Sequence, residues 1–147
     1  MSLEDSIYLV DNNCLTRLDE GVRGRAEFRS RCRIPSEVLH EASGYPDIEM
    51  LKSLEIPMDI HVLRALDDVM AEIAPGQVDV VDLYRNQGNA DPLLVATALV
   101  LQERWQGGLW ETTVHVATED KAVRGLAERF GVSVVSFDEL RSALSDG

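Results

Sequence analysis

Along this chain, short apolar or β-branched runs alternate with stretches of helical periodicity, and that alternation limits the available folds more than any other feature. The runs fall at residues 6–10, 32–35, 112–117 and 132–135, and helices outnumber them. Parallel strands need long crossover connections, usually helices, which then cover both faces of the sheet. The expected class is α/β, with a central parallel sheet flanked by helices in three layers.

Local signals mark the elements. The first run ends at Asp11, and Asn12 and Asn13 suit a strand-to-helix turn. A helix is expected from about Cys14, interrupted by Gly21 and Gly24, with a second piece over 25–31. Pro35 and Ser36 open a helix bearing an apolar stripe of Val38, Leu39 and Ala42, which Gly44 and Pro46 end. Residues 47–54 read as a short helix, Asp59 as the cap of a helix reaching Ile73, and 78–84 as a further helix. Asp91 stands at an N-cap position with Pro92 at the first helical residue, and a mostly buried helix follows until Gly107-Gly108. The last two helices are expected over 121–130, with Gly131 just beyond, and over 137–144, capped by Ser136 with Glu139 three residues on.

A chain of 147 residues, 45% hydrophobic and 27% charged, can bury a full core and is expected to form one domain, 1–147. No cationic and apolar leader opens it. Its longest apolar run, residues 93–101, falls well short of the ~20 residues a membrane span needs, so the expectation is a cytoplasmic protein without a membrane segment. Cys14 and Cys32 lack the spacing of a zinc site and read as free thiols. His40, His61 and His115 are scattered and read as surface or satisfied core residues.

The net charge of −12 opposes binding to a polyanion. Divalent metals on carboxylates invert such a field locally. Basic charge is also concentrated at Arg17, Arg23, Arg25, Arg29, Arg31 and Arg33, either as a solvated face paired with Asp19, Glu20 and Glu27 or as an RNA-facing or partner-facing patch.

The chemistry rests on carboxylates. Ligands of open α/β sheets bind beyond the carboxyl ends of the strands. Asp11 ends the first strand and Asp120 follows the 112–117 strand by three residues. Glu41, in a helix, and Asp91, at a helix start, can close the same crevice. Grouped carboxylates repel unless cations neutralise them, and Mg²⁺ or Mn²⁺ prefers such oxygen ligands. Taken singly, Asp11, Asp91 and Asp120 are better explained as helix-capping or first-turn acids, and Glu41 as a solvated helix position.

The four together resemble the PIN-domain family, particularly compact prokaryotic VapC-like nucleases. Tyr8-Leu-Val-Asp11-Asn-Asn13-Cys-Leu15 is similar to the opening motif, and Ile34-Pro-Ser-Glu-Val-Leu-His-Glu41 to the second, which selects Glu41 over Glu37. Asn89-Ala-Asp91-Pro-Leu-Leu-Val-Ala-Thr-Ala98 resembles the third, and Val116-Ala-Thr118-Glu-Asp120-Lys121 the last. Asn12 departs from the family, which often has Thr or Ser there. The resemblance implies a PIN-like three-layer fold and a Mg²⁺- or Mn²⁺-dependent endoribonuclease. Asp11, Glu41, Asp91 and Asp120 would be its catalytic and metal-holding residues, with Asn13 and Thr118 orienting carboxylates behind them. It also implies an RNA substrate, a homodimer and, for a toxin of a toxin–antitoxin pair, an antitoxin protein as partner.

Two other readings compete. One keeps the fold as an inactive PIN-like module acting through protein partners, which the net charge favours. The other is a phosphatase of the HAD type, whose chemistry wants a second Asp two residues beyond the strand-end nucleophile, where this chain has Asn13.

Overall fold

The computed structural model describes residues 4–72, 90–104 and 111–145, with the backbone alone at Glu4, Asp5, Ala90, Asp91 and Glu111. Five strands, β1 (Glu4–Val10), β2 (Cys32–Pro35), β3 (Glu55–Ile56), β4 (Glu111–Ala117) and β5 (Ser133–Val135), form one sheet in the order β3-β2-β1-β4-β5. Every pairing is parallel; β1 registers Tyr8 with Cys32 on one side and with His115 on the other. This is the three-layer α/β arrangement, a central parallel sheet flanked by helices, that the alternation of elements predicts.

Nine helices are described: α1 (Asn12–Arg17), α2 (Glu20–Arg23), α3 (Ala26–Arg31), α4 (Ser36–Glu41), α5 (Ile48–Lys52), α6 (Ile60–Glu72), α7 (Ala90–Arg104), α8 (Lys121–Arg129) and α9 (Phe137–Ser145). The pleat of β1 divides the core between them. Val10 packs with Leu15, Phe28, Val38, Leu51, Phe137 and Leu140, on the side of α1, α3, α4, α5 and α9. Leu9 packs with Val69, Leu94, Val114, Val123 and Leu126, on the side of α6, α7 and α8. Successive β1 residues thus serve opposite layers, as a strand period of two requires. Helix α7 is buried along Leu93–Ala98 and again at Val100 and Leu101, so its inner turns have no solvent face.

The local signals hold at several boundaries. Gly131 adopts φ 71°, the left-handed conformation that favours glycine after a helix. Ser136 and Glu139 exchange the two bonds of a capping box, at 2.9 and 3.1 Å. Asp59 accepts from the amides of His61 and Val62 at the start of α6.

Other boundaries differ. Asn12 and Asn13 begin α1 rather than preceding it, because Asp11 takes the cap. Helix α7 already includes Ala90, so Asp91 is its second residue and not its cap. Strand β3 has no counterpart in the expectations: two residues carry too little pattern, and their pairing depends on β2, where the Ile34 amide donates to the Leu54 carbonyl at 3.0 Å. The helix expected over 78–84 and the stop at Gly107-Gly108 lie outside the described residues. Among the described residues no helix is long and apolar enough to cross a membrane.

The order of the strands positions the site. From β1 the chain steps outward to β2 and β3, then returns to β4 on the opposite side of β1 and on to β5. The reversal falls between β1 and β4, and the carboxyl ends of these two strands border a crevice at such a switch point.

Candidate active site

At that switch point stands Asp11. Its amide extends the ladder by one more bond, to the Ala117 carbonyl at 3.1 Å, and its extended backbone then turns the chain into α1. The side chain is 5% exposed. Oδ1 accepts from the Asn12 amide at 2.7 Å, and Oδ2 accepts from the Thr118 hydroxyl at 2.7 Å and the Asn13 amide nitrogen at 3.2 Å. Burial pushes the Asp11 carboxyl above its ordinary range and the charge of Asp120 adds to this; the three hydrogen bonds pull the other way without cancelling it.

Thr118, fully buried, joins the two acids. Its hydroxyl donates to Asp11 and accepts from the Asp120 amide at 3.1 Å. Asp120 caps α8 through Oδ1, which accepts from the amides of Ala122 and Val123 at 2.9 and 3.3 Å. Asn13 closes the cluster from the other side, its Oδ1 accepting from the Glu119 amide at 3.3 Å. So Asp11, Asn13, Thr118 and Asp120 come from two chain segments far apart in sequence and form one hydrogen-bonded unit.

Glu41 is the last residue of α4 and is exposed. Its carboxyl is nonetheless raised, first by partial desolvation and then by the charges of Asp11 and Glu37, with His40 opposing. Asp91 is placed by its backbone alone, at the start of α7. Among the described residues no three His, Cys, Asp or Glu side chains form a ready metal-binding group; the side chain of Asp91 lies outside that description.

Capping is thus a real role of Asp11 and Asp120, and it leaves both carboxylates with acceptor capacity. A carboxylate offers about four lone-pair sites, of which Asp11 fills three, while Oδ2 of Asp120 takes no hydrogen bond among the described residues. Nor does any cation among those residues pair with Asp11, Glu41 or Asp120. Hard oxygen donors, buried negative charge and no counter-ion fit Mg²⁺ or Mn²⁺.

One pair beside the site had no signal in the sequence. Arg17 contacts Glu119 at 3.1 Å while its guanidinium lies 4.2 Å above the Phe137 ring. The arginine cluster also differs from the expected pairing with Asp19, Glu20 and Glu27. None of the ion pairs seen joins it to Asp19, Glu20 or Glu27: Arg23 pairs with Asp47, and Arg31 and Arg33 donate to backbone carbonyls. The cysteines are free and buried; the Cys14 thiol is pushed up to about 12, by burial first and then by Asp11 and Glu119. His115 is satisfied, stacked on Tyr8 and bonded to Ser133 and Ser6.

The molecule is accordingly an α/β protein with two linked carboxylates, Asp11 and Asp120, at the switch point of its sheet. No protein-family model and no curated protein matches the sequence. Among solved structures the chain is similar to FitAcB from Neisseria gonorrhoeae, at 15% identity and a TM-score of 0.50, over 89% of this chain and 98% of that one. It also matches FitAB bound to an IR36 DNA fragment, at 16% identity and a TM-score of 0.49, over 89% of this chain and 95% of that one. At such identities the likeness to FitAcB is one of fold.

Proposed function

We propose that this chain is a PIN-family endoribonuclease that hydrolyses RNA phosphodiesters with Mg²⁺ or Mn²⁺ held by Asp11, Glu41, Asp91 and Asp120. The observation that carries the reading is the state of Asp11: a buried carboxylate at the sheet's switch point, coupled through Thr118 to Asp120 and facing no cation among the described residues. A desolvated anion of this kind costs stability unless a counter-ion neutralises it. When bound, the metal supplies that neutralisation and stabilises the charge that develops on the scissile phosphate.

The protein groups divide the remaining work. Thr118 and Asn13 donate to Oδ2 of Asp11 and fix its orientation, leaving an acceptor site on Oδ1. Asp120 presents its free Oδ2 from the N-terminus of α8, and Asp91 is the second residue of α7. Glu41, the last residue of α4, would hold a metal-bound water or complete the site. The family resemblance extends the reading to a cytoplasmic homodimer, and to a toxin restrained by an antitoxin protein.

A second reading, an inactive PIN-like module working through protein partners, is favoured by the net charge of −12. Incubating the full chain with single-stranded RNA and Mn²⁺ separates the two. Cleavage by the wild type, lost in Asp11→Asn and Asp91→Asn and in excess EDTA, is the expected result. Equal products from wild type and both variants would remove the enzyme reading.

A further inference from the structure

Four polar or charged side chains are buried among the described residues: Asp11, Arg23, Thr97 and Thr118. Asp11 and Thr118 belong to the candidate site, and Thr97 donates to the Leu93 carbonyl of its own helix. Arg23 has no such explanation. It lies at the end of α2, and its Nε is 3.0 Å from Oδ2 of Asp47, with the two side chains 8% and 12% exposed. The contact is ionic and lacks the alignment of a hydrogen bond. On another side the guanidinium faces the Tyr45 ring, 4.7 Å from its centroid.

Asp47 makes the arrangement informative. It occupies the N-cap position of α5 but makes no side-chain cap bond there, forgoing a contribution of about 1 kcal/mol. Its carboxylate is turned to Arg23 instead. Buried ion pairs are weak stabilisers compared with apolar residues of similar volume, and in some proteins they serve to select one geometry.

The geometry selected here is that of the segment after Glu41. Tyr45, on that segment, also shares a 2.9 Å hydroxyl contact with Thr16 of α1, the helix that opens on Asp11. Between Glu41 and Asp47 the chain is held by consecutive turns: Ala42 bonds to Val38, Ser43 to His40, Tyr45 to Ala42 and Ile48 to Tyr45. A constraint on Tyr45 and Asp47 is therefore passed to the end of α4, where Glu41 sits. Arg23 and Thr16 anchor that segment to the α1–α2 unit.

We propose that Arg23, Asp47 and Tyr45 are positioning residues that fix the end of α4, and with it Glu41, against α1, the helix that opens on Asp11. The proposal rests on the metal-nuclease reading. It differs from a purely stabilising role, because replacing the pair by apolar residues is expected to preserve the fold while loosening Glu41.

The test is Mn²⁺ affinity of the full chain, measured by electron paramagnetic resonance without RNA, alongside thermal unfolding. Arg23→Met/Asp47→Leu should unfold near the wild-type temperature yet bind Mn²⁺ about 10-fold more weakly, the lower end of losses from residues supporting a metal ligand. Tyr45→Phe and Thr16→Val should give smaller losses, equal to each other. Added to Glu41→Gln, none of these changes should weaken binding further, since they act through Glu41. Wild-type affinity in the Arg23→Met/Asp47→Leu variant, or losses that add to that of Glu41→Gln, would overturn the proposal while leaving the nuclease reading intact. A wild type that neither binds Mn²⁺ nor cleaves RNA would overturn both.

Discussion

Two buried charges in this protein are treated in opposite ways. Arg23, 6% exposed, has its carboxylate at 3.0 Å and an aromatic ring beside it. Asp11, 5% exposed, is given hydrogen-bond donors and another acid, and no cation among the described residues. The fold can bury a charge and neutralise it, as it does at Arg23. Where the sheet changes direction, it leaves the charge standing. That contrast is what the proposed cation site at the Asp11 end rests on.

The contrast can be broken most severely at Arg23. Arg23→Met alone leaves Asp47 buried and unpaired and should cost about 3–5 kcal/mol in chemical denaturation, whereas Arg23→Met/Asp47→Leu should recover most of it. At the other centre the stability cost should be small and the functional cost large. Asp11→Asn is expected to reduce Mn²⁺-dependent RNA cleavage by roughly 100-fold or more, in line with several kcal/mol of lost transition-state stabilisation. Thr118→Val removes the hydroxyl shared by Asp11 and the Asp120 amide. It should cost about 1–3 kcal/mol in stability, for the groups left unsatisfied, and roughly 10-fold in Mn²⁺ affinity, read by titration.

The smallest effect is in pH dependence. The folded-state pKa of Asp11 is raised, so its contribution to stability is greatest below the unfolded value of about 3.9 and declines as pH rises through the folded value. Without metal, the stability of the wild type relative to Asp11→Asn should therefore fall as pH increases across that window. A difference constant with pH would mean that Asp11 is compensated in the folded protein.

What could be read from the sequence follows the same division between local and distant causes. The capping box of α9, the glycine after α8 and the burial of α7 were legible because each is written within a few consecutive residues. The strand ends before Asp11 and Asp120 were legible for the same reason, since an apolar or β-branched run precedes each. Strand β3 was not, because only its pairing with β2 makes two residues a strand. Asp47 stands where a helix cap belongs, and its diversion to Arg23 depends on a charge from a different helix. The acid partners expected for the arginines were misread because these side chains find theirs through the tertiary fold: Arg17 at Glu119, Arg23 at Asp47, Arg31 at the Ala143 carbonyl. Within the candidate site, the convergence of Asp11 and Asp120 was expected from their strand-end positions, and Thr118 as an orienting residue from the motif resemblance, while the particular hydrogen bonds through Thr118 depend on β1 and β4 lying side by side.

Thermal unfolding with and without Mn²⁺ tests the account most directly, because it reads the unneutralised charge itself. At a Mn²⁺ concentration about 100 times its dissociation constant, binding adds roughly 2.7 kcal/mol, or on the order of 5–10 °C in Tm for a chain of this size. The wild type should show that rise and Asp11→Asn should not, while the metal-free variant should unfold no lower than the metal-free wild type. A wild type indifferent to Mn²⁺, or a variant that gains as much from it, would contradict the proposal that this end of the sheet binds a divalent cation.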